Sequence, residues 1–374
     1  MEQFLSLKEL GSRLYKVDML VVALLKRRMD LALQVGEFKV RNGQKIFRAS
    51  VESKRLAQVK AEARKRNLSQ HFAASILYQA INESCKQQMI QLQNTNARRH
   101  KKAKTEKESY RLLKKNLLLL TRRWADSYDD QYDKAFFATH AYLDFEDQIL
   151  EQEIRQIADR GIALDLGCAT GRLSTKLSPS FRWVYGYDLS PHMLMKANAK
   201  EKKVQNVSFI EADLEKGIPQ SDSSVSFVAM NLGTASDIRD ISGVLKEVKR
   251  VLVSGGRFFF SFYNREALLY QWDFIPWPVG LAAEINIHKH CLDVHLGAKV
   301  LSVYARPYTS KEARNLFPKG MKLSKVLTHP TISSILPNNL FEGKASIQKS
   351  VADIDRHLAK AHDGAYIIVT GKKM

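Results

Sequence analysis

Leu14, Val17, Val21, Leu24, Leu31 and Val35 recur along the first forty residues at intervals of three, four and seven. At about 100° per residue this spacing gathers them on one helical face, which predicts one helix over 6–41 with a buried apolar stripe. Asn42-Gly43 supplies a turn, a second helix is expected from about 50 to 66, and Asn67-Leu68-Ser69 breaks and caps the chain. A third helix is expected from 69 to about 94, with Phe72, Ile76, Tyr78, Ala80, Ile81, Ser84 and Gln88 sampling its inner side. No strand signal interrupts these helices, so the region reads as all-α. The following stretch, NTNARRHKKAKTEK (94–107), is polar and basic without an apolar period and reads as a solvated connector. Leu112 to Trp124 begins a new apolar pattern. From Ile162 the period changes: IALDLG, WVYGYD, VSFIEAD, VSFVAMN and GRFFFSFYN are short β-like runs alternating with helical stretches, and AYIIVTGKK reads as a last strand. That alternation predicts an α/β region with a parallel sheet.

A chain of 374 residues with 45% hydrophobic content has room for two cores, and the change of period near residue 120 agrees with two domains. The apolar runs, such as Met19 to Leu25, fall short of the eighteen or so residues of a membrane span, and MEQFLSLKEL does not resemble a signal peptide. Cys85, Cys168 and Cys291 have no paired spacing and suit free thiols in a reducing compartment, so the expectation is a soluble cytoplasmic protein without a metal cluster. The net charge of +20 is uneven: residues 1–115 hold 26 Lys and Arg against 10 Asp and Glu, the remainder 33 against 29. The helical third therefore expects an anion, either nucleic-acid phosphate or a small polycarboxylate.

Two cations sharpen that choice. Lys39 follows Arg28 by eleven residues, about three turns, so both point into the apolar stripe. Burying an unpaired charge costs several kcal/mol, so either the stems reach water or something anionic lies inside.

In the α/β region, ALDLGCATGRLS places Asp165, Gly167, Ala169 and Gly171 between a strand and a helix, where a tight turn lets main-chain N–H groups approach a ligand. Seventeen residues beyond Gly171, Asp188 ends the next strand, where a carboxylate can accept both ribose hydroxyls. Asp213 ends the third. The competing reading, a dinucleotide site, wants Gly-x-Gly-x-x-Gly, whereas here the spacing is Gly-x-x-x-Gly after an acid.

These residues resemble the class I S-adenosylmethionine-dependent methyltransferase family over roughly 120–374. The resemblance implies a Rossmann-like fold, S-adenosyl-L-methionine as cofactor, and a cofactor site of Tyr132, Asp165, Gly167, Cys168, Gly171, Asp188, Leu189, Met193, Asp213, Leu214 and Asn231. It also implies a lid from WADSYDDQYDKAF, with Trp124, Tyr128 and Tyr132. Methyl transfer from a sulfonium rests on alignment and needs a base only for a protonated acceptor. His140 is the base candidate, beside His288, His290 and His295, whose spacings match no strong metal template. An acceptor pocket would draw on residues 264–310 and on Tyr263, Trp272, Trp277 and Tyr308.

Residues 1–97 resemble the all-α (AroQ-type) chorismate mutase family. The resemblance implies a catalytic set of Arg28, Lys39, Glu52, Ser84 and Gln88 around a dicarboxylate, and a homodimer built through the helical domain. In chemical terms, Arg28 can hold a carboxylate bidentately while Lys39 and Gln88 flank the ether oxygen where charge develops. Two departures weaken the set. The family's Leu-Arg near the start of helix 1 reads Leu10-Gly11, and its Asp-x-x-Arg-Glu before helix 2 reads Arg48-Ala49-Ser50-Val51-Glu52. The expected arrangement is thus a degenerate mutase-like domain (1–97), a basic linker or helix (98–119) and a methyltransferase domain (120–374) with a small-molecule, aromatic or shikimate-derived acceptor. The alternatives are a bifunctional mutase and methyltransferase, or an RNA methyltransferase with a basic helical module. The helices lack the interleaved aromatic and basic residues of a base-stacking surface, which disfavours nucleic acid.

Overall fold

The computed structural model describes the chain except residues 1–5, 43–48, 100–105, 134–136, 202–203, 272–281, 288, 297–298, 337–340 and 342. It divides into two compact units, Met1–Ala103 with His295–Val300, and Lys104–Val294 with Leu301–Met374.

In the first unit α1 (Leu7–Arg41), α2 (Ala49–Lys65) and α3 (Gln70–Arg99) follow the predicted order, and α3 packs against both of the others. The predicted buried stripe of α1 is corrected. All six of its residues, Leu14, Val17, Val21, Leu24, Leu31 and Val35, are exposed, Leu14 and Leu24 at 63%, and so is every residue from Ser6 to Arg27 in the single chain. Up to Arg27 the reason is length, since 35 residues span about 52 Å while the described side-chain contacts with α3 begin at Arg28; beyond it, α1 turns Gly36 and Lys39 inward rather than Leu31 and Val35.

The second unit opens with α4 (Glu106–Trp124), α5 (Tyr128–Asp133) and α6 (Phe137–Arg155). Helix α4 runs across the expected boundary at 119/120. Among the described residues, a seven-stranded sheet follows, built from β1 (Ile162–Leu166), β2 (Trp183–Asp188), β3 (Val207–Glu211), β4 (Val225–Met230), β5 (Leu252–Tyr263), β9 (Met321–His329) and β10 (Tyr366–Lys373) in the order β3-β2-β1-β4-β5-β10-β9. Its connecting helices are α7 (Arg172–Leu177), α8 (Pro191–Glu201) and α9 (Ile241–Val251), followed by α10 (Leu268–Gln271), α11 (Ser310–Asn315) and α12 (Ala345–Leu358). A separate three-stranded sheet holds β6 (Ala282–Asn286), β7 (Cys291–Leu296) and β8 (Lys299–Tyr304).

The five strands read from the sequence are parallel neighbours, but β10 runs antiparallel to both β5 and β9. The sheet is therefore mixed rather than wholly parallel. Strand β4 is buried at every position, and one core packs Leu164, Val228, Phe258 and Phe260 against Val244, Leu245 and Val248 of α9. Between β1 and β4 the strand order reverses, and an open α/β sheet binds ligands at the carboxyl ends of the strands at such a point. No described helix is long and apolar enough to cross a membrane.

Candidate active site

A cavity of about 370 Å³ lies at those carboxyl ends, within the 300–1,000 Å³ range of small-molecule sites. Gly167 and Ala169 line it after β1, Asp188, Leu189 and Ser190 after β2, Asp213 and Leu214 after β3, and Leu232, Thr234 and Asp237 after β4. Tyr263 at the end of β5, Tyr366 at the start of β10, and Leu113, Lys114, Leu117, Leu120 and Trp124 of α4 complete the wall.

Asp188 holds the loop around it. Its Oδ2 accepts a hydrogen bond from the Ala169 amide at 2.8 Å and its Oδ1 one from the Ser190 amide at 2.8 Å. A carboxylate has about four acceptor positions, so capacity remains for ligand hydroxyls. Burial pushes the Asp188 carboxyl above its ordinary pKa, against the opposing pull of these amides. At the neighbouring strand end Lys114 donates to Asp213 Oδ1 at 2.6 Å and to Glu215 Oε2 at 3.0 Å, and the Tyr110 hydroxyl donates to Glu215 Oε2 at 2.6 Å. Burial opposes the Lys114 charge, yet the two carboxylates outweigh it and hold its pKa above normal.

Of the residues expected to bind cofactor, Gly167, Asp188, Leu189, Met193, Asp213 and Leu214 share this wall. Others support it from behind. Asp165 is fully buried, bonded by the Ser174 hydroxyl at 2.6 Å with Oδ1 unpartnered, and burial pushes its carboxyl up to about 6. Cys168 is buried and its thiol is pushed up by burial. Asn231 donates to the buried Glu146 at 3.4 Å, and Arg172 donates to the same carboxylate at 3.2 Å. Gly171 has φ +79°, and a Cβ there would lie 2.4 Å from Phe209 Cζ, so this glycine makes room for the Phe209 ring. Tyr132 lies in α5 with its side chain outside the described ones. Trp124 and Tyr128 line the cavity as the expected lid would, and Thr170 donates to Asp129 at 2.6 Å, tying α5 to the glycine loop. His140 is exposed on α6 beside Thr139, which does line the cavity, because successive helical positions diverge by about 100°. Trp272, Trp277 and His288 lie outside the described residues, as does the side chain of His295, while Tyr308 is buried against Phe262. His290 is described, and burial lowers its pKa.

In the first unit Arg28 donates to the Ala80 carbonyl and the Ser84 hydroxyl. Lys39 is 5% exposed, and Gln88 is buried, its Oε1 without a hydrogen-bond partner among the described residues. Gly36 faces Gln88 so closely that a Cβ would meet its Cγ at 2.5 Å. The Glu52 side chain lies outside the described ones. Sequence reasoning placed Ala169 in the loop but missed Ser190, Thr234, Asp237 and Tyr366, and the apolar Leu113, Leu117, Leu120 and Trp124 period of α4 was the legible sign of its wall.

Residues 164–260 match the family described as a methyltransferase domain, and residues 12–89 match chorismate mutase type II. The chain thus joins a region similar to chorismate mutase type II to one similar to a methyltransferase domain. Among curated proteins it is similar to the demethylmenaquinone methyltransferase of Chlorobaculum tepidum, 38% identical over 95 residues, covering 25% of this chain and 37% of that one. It is also similar to the ubiquinone/menaquinone biosynthesis C-methyltransferase UbiE of Acidiphilium cryptum, 27% identical over 194 residues, covering 49% and 71%. The chain thus spans well under half the length of the first of these relatives. A solved DhpI–SAM–HEP complex aligns at 18% identity and TM-score 0.46, over 70% of this chain and 98% of that one. A methyltransferase domain implies S-adenosylmethionine. The cavity suits it, because Asp188 keeps acceptor capacity beside the apolar Leu189, Met193 and Leu214.

Proposed function

We propose that this chain is an S-adenosylmethionine-dependent methyltransferase acting on a small aromatic acceptor, and that its helical region is a degenerate mutase-like domain that pairs two copies. The observation that carries the reading is the cavity at the β1/β4 switch point, with Asp188 and Asp213 on one wall and Tyr263 and Tyr366 on another.

When bound, the cofactor supplies a methyl group already activated on a positively charged sulfur. Asp188 would hold its ribose hydroxyls, Leu189, Met193 and Leu214 would enclose its base, and Asp213 would meet the base's amino group. Helix α4 with Trp124 and Tyr128 keeps water from the reacting atoms. These residues supply alignment, which carries most of such a reaction. Two of the curated relatives are demethylmenaquinone methyltransferases by name, and an aromatic quinol agrees with the tyrosines at the far end of the cavity.

Pairing of two copies is supported by the exposed stripe Leu14, Val17, Val21 and Leu24, which lies along α1 and would be covered by the same helix of a second chain. Degeneracy is supported by the lost cations and by the engagement of Arg28 with Ala80 and Ser84. The test supplies methyl-labelled S-adenosylmethionine to the full chain with a reduced naphthoquinol, an arylpyruvate, chorismate and prephenate. Label is expected on the quinol or the arylpyruvate, and prephenate is not expected to form from chorismate. Transfer to none of the four would remove the acceptor class, and prephenate formation would restore the bifunctional reading.

A further inference from the structure

Beyond β4 the backbone takes an unusual path. Leu232 has φ +50° and Gly233 φ +79°, so two consecutive residues are left-handed, the first of them a branched apolar residue. Glycine takes this conformation freely, but for Leu232 it costs about 1–3 kcal/mol and persists where the surroundings impose it, often at ligand sites. Here the two residues swing the chain into a short 3₁₀ turn, Thr234–Ser236, that ends at Asp237. The turn is fixed from both sides: the Gly233 amide donates to Ser261 Oγ at 2.8 Å and the Tyr263 amide donates to Ser236 Oγ at 2.9 Å. The Tyr263 ring lies directly on Gly233, where a Cβ would fall 2.3 Å from Cε1.

The result is a half-buried acid and a phenol placed together on the cavity wall. Tyr263 acts on the Asp237 carboxyl, pulling its pKa down against the effect of burial. Asp237 Oδ1 is sealed from solvent and has no hydrogen-bond partner among the described residues. We propose that Asp237, beside Tyr263 on the cavity wall, is the catalytic residue that takes the proton from a hydroxyl-bearing methyl acceptor. The proposal rests on the methyltransferase reading above and adds to it the acceptor class, a phenol, quinol or enol.

The chemistry balances. The acceptor's O–H bond breaks and its proton goes to the Asp237 carboxylate, which lines the cavity. The electron pair left on oxygen, or delocalised onto the adjacent ring or enol carbon, forms the new bond to the methyl carbon. For transfer to a ring carbon, loss of that carbon's proton restores the aromatic ring. The pair of the broken S–CH3 bond stays on sulfur, which leaves as a neutral thioether. A base for this step needs an affinity for protons above that of a surface carboxylate. Burial pushes the Asp237 carboxyl well up, and Tyr263, which pulls it back, is the titratable side chain acting on it. Behind Tyr263 stand Tyr128, Tyr270 and Tyr366, whose proximity along with burial raises the Tyr263 phenol, so this phenol stays a hydrogen-bond donor.

The test uses the full chain with Asp237→Asn and Tyr263→Phe. It measures S-adenosylmethionine binding by calorimetry, thermal melting, and the pH dependence of methylation of a reduced naphthoquinol and an arylpyruvate. Asp237→Asn is expected to bind S-adenosylmethionine within about twofold of wild type. Its kcat should fall by at least about 100-fold, the usual share of a general base, with KM little changed and the rise of rate with pH lost. Tyr263→Phe should lower kcat less and shift the pH profile. Wild-type turnover with Asp237→Asn retaining kcat within threefold would overturn the proposal. So would loss of rate in both variants that merely tracks lost S-adenosylmethionine binding and lowered melting. Failure of the wild type itself to bind S-adenosylmethionine would instead sink the underlying reading, and this proposal with it.

Discussion

Replacing Gly171 by Ala tests the geometry of the cofactor loop quantitatively. The new Cβ would sit 2.4 Å from Phe209 Cζ, 2.7 Å from its Cε1 and 3.3 Å from Ala197 Cβ, on a residue with φ +79°. The left-handed backbone costs an L-residue about 1–2 kcal/mol. Overpacking against a ring already pressed on Gly186 adds about 1–3 kcal/mol. The expected loss is roughly 2–5 kcal/mol, a large share of the 5–15 kcal/mol typical of a domain. All four tryptophans lie at or beyond residue 124, so urea unfolding followed by tryptophan fluorescence reports on the α/β unit without the helical one. Phe209→Leu separates the two terms. In that background Gly171→Ala should cost only about the backbone share, 1–2 kcal/mol. A loss below about 0.5 kcal/mol in the wild-type background, or an equal loss in both backgrounds, would refute the overlap.

Further outcomes follow from other contacts. Asp188→Ala removes acceptors for the Ala169 and Ser190 amides as well as for ligand hydroxyls. At about 1.5–3 kcal/mol per hydrogen bond to a charged group, S-adenosylmethionine affinity measured by calorimetry should fall at least about tenfold, and unchanged affinity would move the ribose elsewhere. Glu153→Ala strands the buried Arg257, whose Nε donates to Glu153 Oε2 at 2.8 Å, and also breaks the Thr370 bond at 3.0 Å. A loss of about 3–5 kcal/mol in the same fluorescence-detected unfolding is expected, and a neutral effect would contradict a closed ion pair. Asp237 has a folded pKa above its unfolded one, so its contribution is full below the unfolded pKa and is lost as pH rises through the folded value. The melting temperature of Asp237→Asn relative to wild type should therefore climb as pH rises from about 4, and a pH-independent difference would deny the raised pKa. Light scattering should find the wild-type chain dimeric and a Leu14→Lys, Val21→Lys double variant monomeric, whereas a monomeric wild type would leave the α1 stripe without its second copy.

Periodicity in the sequence was enough for the three helices of the first unit, the five parallel strands and the Gly167-to-Asp188 spacing, because each depends on local repeat and turn chemistry. Strand-end spacing placed Gly167, Asp188 and Asp213 on one wall, since strand ends in an α/β sheet converge on a single edge, while Leu189, Met193 and Leu214 came from the family resemblance and share that wall. Other features were decided only by tertiary structure. Strand β10 turned antiparallel because it pairs between β5 and β9, a matter of long-range hydrogen bonding that no local pattern carries. Tyr263 and Tyr366 are 103 residues apart and meet at 5.8 Å between ring centroids, while Asp237 gains its chemistry from burial beside Tyr263. The close seat of the Phe209 ring on Gly171 was likewise invisible in the sequence. The stripe on α1 shows the same division from the other side. Its periodicity fixed which residues share a face, but whether that face meets a core or water depends on how far along α1 its packing partners reach, and only the folded chain determines that.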